Sequence, residues 1–139
     1  MTSEVFIPKI LFLVDDDPDD KDIFQEALKV IDKNIVCYTA SDGKDALNKL
    51  REALFLPDVV FLDLNMPVMN GKDCLRELKE DKDLKHIPVV VYSTSAAEKE
   101  KTNCLKLGAV HFISKPPQFN VLVTKLQETF SIEPLQSKK

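Results

Sequence analysis

Five short apolar runs, four of them ending abruptly in acidic, hydroxyl or lysine side chains, restrict the fold of this chain more than any other feature. Ile10 to Val14 runs into Asp15-Asp16-Asp17, Val59 to Leu62 into Asp63, Val89 to Tyr92 into Ser93-Thr94-Ser95, and Val110 to Ile113 into Ser114-Lys115. Ile35 to Thr39 is the remaining run. Such runs are too short for helices, and unbroken apolarity marks strands buried on both faces, as in parallel sheets. The intervening segments read as helices. Pro18 suits a first helical turn, and Ile23, Phe24, Ala27, Leu28 and Ile31 then recur at helical spacing. Ser41 or Asp42 can cap a helix whose apolar face is Ala46, Leu47, Leu50 and Leu54. A loop with Pro67, Asn70 and Gly71 leads into a helix carrying Cys74, Leu75 and Leu78. A polar helix is predicted from about Ala96 to Leu107, stopped by Gly108, and Phe119, Leu122, Val123, Leu126 and Phe130 form the stripe of the last one. Strands alternating with helices predict an α/β fold, a doubly wound five-stranded parallel sheet with right-handed crossovers.

Composition narrows the function. At 139 residues, 44% hydrophobic and 30% charged, the chain is sized and balanced for one globular domain. Its formal charge of −4 is the wrong sign for a phosphate backbone, so no nucleic-acid partner is expected. An apolar run of five residues falls far short of the ~20 that a membrane span needs. The start Met1-Thr2-Ser3-Glu4 lacks a basic n-region, and Cys37, Cys74 and Cys104 are odd in number with no paired spacing. A cytoplasmic protein with free thiols and no membrane association follows as the expectation.

Ligands of open α/β sheets bind beyond the carboxyl ends of the strands, where the fold brings Asp15-Asp16-Asp17, Asp63, Ser93-Thr94 and Lys115 to one rim. Clustered carboxylates repel one another unless a cation sits among them. Oxygen-only ligands with room for water suit Mg²⁺ rather than zinc. Carboxylates, a divalent metal, an ammonium and a hydroxyl together match the oxygens of a phosphoryl group. A carboxylate can also be the nucleophile, forming an acyl phosphate. Asp63, alone at a central strand end, is the natural acceptor, and the acidic pair on the first strand is better placed to hold metal.

These motifs, in this order and with these gaps, resemble a response-regulator receiver domain, the phosphoacceptor half of two-component signalling, of the stand-alone type. The match rests on Ile10 to Asp17, on Asp63-Leu64-Asn65-Met66-Pro67 followed by Gly71, on the Pro88 strand ending in Ser93, and on Gly108-Ala109 with Ser114-Lys115-Pro116. The resemblance implies a flavodoxin-like (βα)5 fold with strand order 2-1-3-4-5 over residues 9–130, between an N-terminal arm (1–8) and a polar C-terminal tail (131–139) expected to fray. It implies that Asp63 is phosphorylated, that Asp16 binds Mg²⁺ directly, that Asp15 holds it through water, and that Asn65 ligates it through its carbonyl. Ser93 and Lys115 would bind phosphoryl oxygens, with Ser93 and Phe112 acting as the switch and a cis bond following Lys115. Implied partners are a sensor histidine kinase or His-phosphotransfer protein, a downstream protein target, or a phosphorylation-linked second copy. The segment Lys79 to His86 resembles stand-alone receivers encoded with phytochrome-type kinases.

Two other readings use the same residues. A phosphatase or phosphotransferase of the haloacid-dehalogenase type also has a nucleophilic Asp and Mg²⁺, but needs an acid/base Asp where Asn65 stands. A degenerate receiver acting as a constitutive binding module would have lost an acid, the hydroxyl or the lysine, and all are present. His86 and His111 have no second ligand at metal spacing and are expected at the surface or an edge. A chain ending about where a receiver ends is expected to carry no output domain. It is therefore expected to be no enzyme beyond assisting its own phosphorylation and dephosphorylation.

Overall fold

The computed structural model describes residues 7–94 and 97–136. The strands are β1 (Ile10–Val14), β2 (Val36–Ala40), β3 (Val59–Leu62), β4 (Val89–Ser93) and β5 (His111–Ser114). They form one parallel sheet in the order β2-β1-β3-β4-β5, with Leu11 opposite both Cys37 and Val59, and Val91 opposite Phe112. The helices are α1 (Pro18–Ile31), α2 (Gly43–Glu52), α3 (Gly71–Glu80), α4 (Glu98–Lys106), α5 (Phe119–Phe130) and α6 (Glu133–Gln136). β3 and β4 are buried along their whole length, and β1 beyond Ile10, which is why their sequences are unbroken apolar runs. β2 lies at the edge, and there alternation appears, with Val36 and Tyr38 exposed.

Two cores flank the sheet. One face packs Phe24, Ala27 and Leu28 of α1 with Leu122, Leu126 and Phe130 of α5 over Leu11, Leu13, Phe61 and Tyr92. The other packs Leu47 and Leu50 of α2 with Cys74, Leu75 and Leu78 of α3 and Cys104 of α4 over Phe12, Val60, Val91 and Phe112. Helix starts are fixed by side chains that accept backbone N–H groups: Asp17 from Asp19 and Asp20, Asp42 from Asp45, and Asn70 from Asp73. α4 differs. Like α5 it has no side-chain cap, but it buries only Cys104, and a Lys72–Glu100 ion pair ties it to α3.

Four local expectations are revised, the first being that Leu54 continues the apolar face of α2: the helix ends at Glu52 and Leu54 is exposed. β2 and β5 each lie one residue later than the apolar runs suggest, because ladder hydrogen bonds extend to Ala40 and Ser114. α4 is described from Glu98, and the expected start at Ala96 falls outside the described residues. The tail is not frayed through residue 136: Ile132 and Leu135, three apart on one face, turn the chain into α6, and Leu135 is fully buried beside Phe130. No described peptide bond is cis, so Lys115–Pro116 is trans, the isomer favoured by about 0.5–1 kcal/mol before context acts.

The segment after β3 is unusually tight. Val68 has φ +67°, and Met69 N–H donates to the Pro67 carbonyl at 2.7 Å, a three-residue turn that costs backbone strain. Gly71 N–H then donates to the Leu64 carbonyl at 2.9 Å, folding the loop back against the end of β3. A Cβ at position 71 would overlap the carbonyl oxygen of Asp63 and lie 2.6 Å from Leu64 Cα. Gly71→Ala must therefore displace the backbone that carries Asp63. A loss of about 2–3 kcal/mol in urea unfolding is expected, and a change under about 0.5 kcal/mol would contradict this close approach.

Candidate functional site

Three candidate residues sit one position past a strand end, and their backbones are still held by the ladder. Asp15 N–H donates to the Ala40 carbonyl (3.0 Å), Asp63 N–H to that of Val14 (2.9 Å), and Lys115 N–H to that of Ser93 (2.7 Å). The backbone at the carboxyl rim is therefore anchored to the sheet at these three positions. Asp15 Oδ1 also accepts the N–H of Asp17 at 3.0 Å, and Asp63 Oδ1 that of Asn65 at 3.4 Å. Across the rim, the Lys115 ammonium donates to Asp15 Oδ2 at 2.8 Å, Asp20 Oδ2 at 2.8 Å and Asp63 Oδ2 at 3.4 Å. Asp15 is fully buried and Asp63 is 5% exposed, so one cation faces two carboxylates sheltered from water.

That imbalance sets the electrostatics. Burial pushes the Asp63 pKa up, the Lys115 charge opposes this, and the Asp15 charge reinforces it. The net direction is upward. For Lys115, burial acts against the ammonium, but hydrogen bonds from it to Asp15 and Asp20 and the charges of Asp15 and Asp63 outweigh burial and hold its pKa above the usual lysine range. Carboxylate oxygens of Asp15, Asp16 and Asp63 all lie within 4.8 Å of one another, with Asp16 exposed. An all-oxygen donor set with one open side fits a hard divalent cation that keeps water ligands.

The model of the response regulator receiver domain matches residues 11–127. The chain belongs to this family. The response regulator Rcp1 of Synechocystis sp. is 33% identical over 142 residues, covering 96% of this chain and 95% of that protein. The crystal structure of the phosphorylated cyanobacterial phytochrome response regulator RcpA superposes with a TM-score of 0.81 at 34% identity, over 88% of this chain and 91% of that one. The Mn²⁺-bound form of Rcp1 gives 0.79 at 31% identity, over 90% and 94%. Other relatives are much longer: the chain covers 26% of a protein-glutamate methylesterase/protein-glutamine glutaminase from Treponema denticola, to which it is 45% identical over 107 residues. The sheet order is that of a receiver domain.

Within this receiver, Asp15, Asp16, Asp63 and Lys115 converge as the sequence suggested, and Asn65 joins them through its N–H on Asp63. Ser93 is fully buried at the end of β4. It stands two residues after Val91, the register partner of Phe112, so the residue-by-residue alternation places both on the α3–α4 face of the sheet. Phe112 is buried, 8% exposed, in the core of that face. The residue missed from sequence is Asp20. Its only signal is position: the Asp17 cap places it in the first turn of α1, directly above the end of β1. His86 is exposed and His111 half-buried. Burial first, then the Lys101 and Lys125 charges, hold the His111 pKa below its usual value. A cavity of about 520 Å³ between β1, β2 and the end of α2, lined by Ile10, Phe12, Tyr38 and Phe55 among others, contains none of the rim residues. Among the described residues, no helix is long and apolar enough to cross a membrane.

A raised carboxyl pKa means that the folded chain binds more protons at Asp63 than the unfolded chain does. That stabilising contribution is present below the unfolded pKa and is lost as pH rises through the folded one, so ionised Asp63 opposes folding at neutral pH. Asp63→Asn is therefore expected to raise the metal-free melting temperature by roughly 3–5 °C, about 1 kcal/mol. Mg²⁺ should stabilise the wild type by mass action and Asp16→Asn much less. Melts in EDTA and in excess Mg²⁺ check this. No gain for Asp63→Asn in EDTA, with equal Mg²⁺ shifts in all proteins, would contradict a shared cation site.

Proposed function

We propose that this receiver accepts one phosphoryl group on Asp63, with Mg²⁺ as the metal, and that the acyl phosphate switches a protein-binding surface. The observation that carries the reading is the placement of Asp63: a nearly buried carboxylate with an elevated pKa, 3.4 Å from the Lys115 ammonium and within 4.8 Å of two further acids. Asp63 Oδ attacks phosphorus, the bond from phosphorus to the donor nitrogen breaks, and the nitrogen leaves with that electron pair. Lys115 and the Ser93 hydroxyl bind the phosphoryl oxygens as negative charge builds on them. Asp15, Asp16, Asp63 and the Asn65 carbonyl would hold a divalent ion, which would supply neutralising charge to the phosphoryl group. The donor is a phosphohistidine on a sensor kinase or phosphotransfer protein, in keeping with the likeness to a hybrid signal transduction histidine kinase of Dictyostelium discoideum.

Drawing Ser93 toward the phosphoryl group opens space on the α3–α4 face, into which Phe112 can repack. α4 is the element best able to respond, because it buries one side chain and has no side-chain cap. The repacked surface between α4 and α5 is then read by a downstream protein or by a second copy of the chain. Asn65, standing where a phosphatase of the haloacid-dehalogenase type needs an acid/base carboxylate, leaves the chain without turnover on phosphate esters.

Acetyl phosphate or a phosphoramidate with Mg²⁺ should add one phosphoryl group by intact mass in the wild type and none in Asp63→Asn. Stoichiometric labelling that survives Asp63→Asn would overturn the acceptor assignment. Sustained, Asp63-dependent phosphate release from esters would move the chain to a phosphatase class.

A further inference from the structure

The Lys115 ammonium has three N–H donors and three carboxylate partners, of which only two belong to the candidate cation site. Asp15 and Asp63 are within reach of a shared cation; Asp20 is not among the acids that could hold it. Asp20 also makes one of the two short contacts, at 2.8 Å, against 3.4 Å for Asp63. It projects from the first turn of α1, a helix pinned to the sheet by the buried side chains Phe24, Ala27 and Leu28 and started by the Asp17 cap. Tyr92 closes the same side. Its ring centroid lies 5.3 Å from Lys115 Nζ, and its edge-to-face contact with Phe24, also at 5.3 Å, holds it against α1. With the Lys115 side chain 10% exposed and that of Asp20 33% exposed, the pair is partly sheltered from solvent, unlike an ordinary surface ion pair.

We propose that Asp20 is a positioning residue for Lys115: its carboxylate tethers the ammonium at the α1 side of the rim, so that Lys115 stays within reach of the Asp63 phosphoryl group when a cation claims Asp15 and Asp63. The proposal rests on the phosphoacceptor reading given above. Asp15, Asp16 and Asp63, if they held a cation, would share their oxygens with it, and its charge would oppose the ammonium. Two of the three contacts holding Lys115 would then weaken just when its charge is needed. Asp20 keeps the third. Because it approaches from a rigid helix rather than from the metal loops, its position does not depend on whether the cation is present.

The plain structural alternative is that Asp20 only places negative charge at the N-terminus of α1, where acids are favourable. Asp19, exposed in the same turn, supplies the control, since it adds the same charge there while the recorded side-chain partners of Lys115 are Asp15, Asp20 and Asp63. With saturating Mg²⁺ and a phosphoramidate donor, Asp20→Asn is expected to slow phosphorylation by about threefold to tenfold, the effect of losing one charge-assisted hydrogen bond. Asp20→Glu should recover most of the rate, and Asp19→Asn should leave it unchanged. In a Lys115→Ala background, Asp20→Asn should change the rate by less than about twofold, because the residue it acts through is gone. Equal slowing in both backgrounds, or by Asp19→Asn, would overturn the positioning role while leaving Asp63 as acceptor. A wild type that takes up no phosphoryl group would overturn the acceptor reading instead, and this role with it.

Discussion

A single ammonium shared among buried acids is the interaction on which the rest of this molecule depends. Lys115 sits 2.8 Å from the fully buried Asp15 and 3.4 Å from the nearly buried Asp63. Taking an unpaired acid out of water costs several kcal/mol, and Lys115 is the partner that offsets this cost for both. One positive charge does not balance the two: burial raises the pKa of Asp63, Lys115 opposes that rise, and the Asp15 charge adds to it. A site left under-neutralised in this way has a standing affinity for further positive charge. It also places a carboxylate where an electrophile carrying dispersed negative charge can be held by the same cations.

The fold makes this possible by spending no side-chain chemistry on the sheet itself. β1, β3 and β4 are filled almost entirely with apolar residues, so polar groups appear only where the strands stop. Ladder hydrogen bonds carry the backbone order one residue further, to Asp15, Asp63 and Lys115. The tight loop after β3, with Gly71 packed against the Asp63 carbonyl, sets the height of Asp63 over the sheet. α4 stands at the other extreme, held by one buried cysteine and an ion pair to α3, so a shift of α4 disturbs less of the core than a shift of any of the other long helices.

Much of this was legible in the sequence because it depends on period and punctuation. Unbroken apolar runs ending in acids signal buried parallel strands with a functional rim, and residue type narrows the cap of α2 to Ser41 or Asp42, of which the structure uses Asp42. Features that depend on the third dimension were not legible. Asp20 reads as an ordinary first-turn acid until α1 is seen over the end of β1. The turn to α6 hangs on two apolar residues, Ile132 and Leu135, in a polar stretch too short for periodicity to register. The isomer after Lys115 could not be decided either, because the intrinsic preference at an X–Pro bond is smaller than the effect of its surroundings.

The central claim is that Lys115 and a divalent cation do the same electrostatic work for Asp15 and Asp63. Replacing Lys115 with Met tests it most directly, by comparing thermal melts of wild type and variant in EDTA and in saturating Mg²⁺. The expected result is a metal-free loss of about 2 kcal/mol, the penalty for leaving sheltered carboxylates without their partner, of which Mg²⁺ restores at least about half. A loss of the same size with and without Mg²⁺ would contradict it, because the lysine would then be stabilising the fold by some means the cation cannot replace.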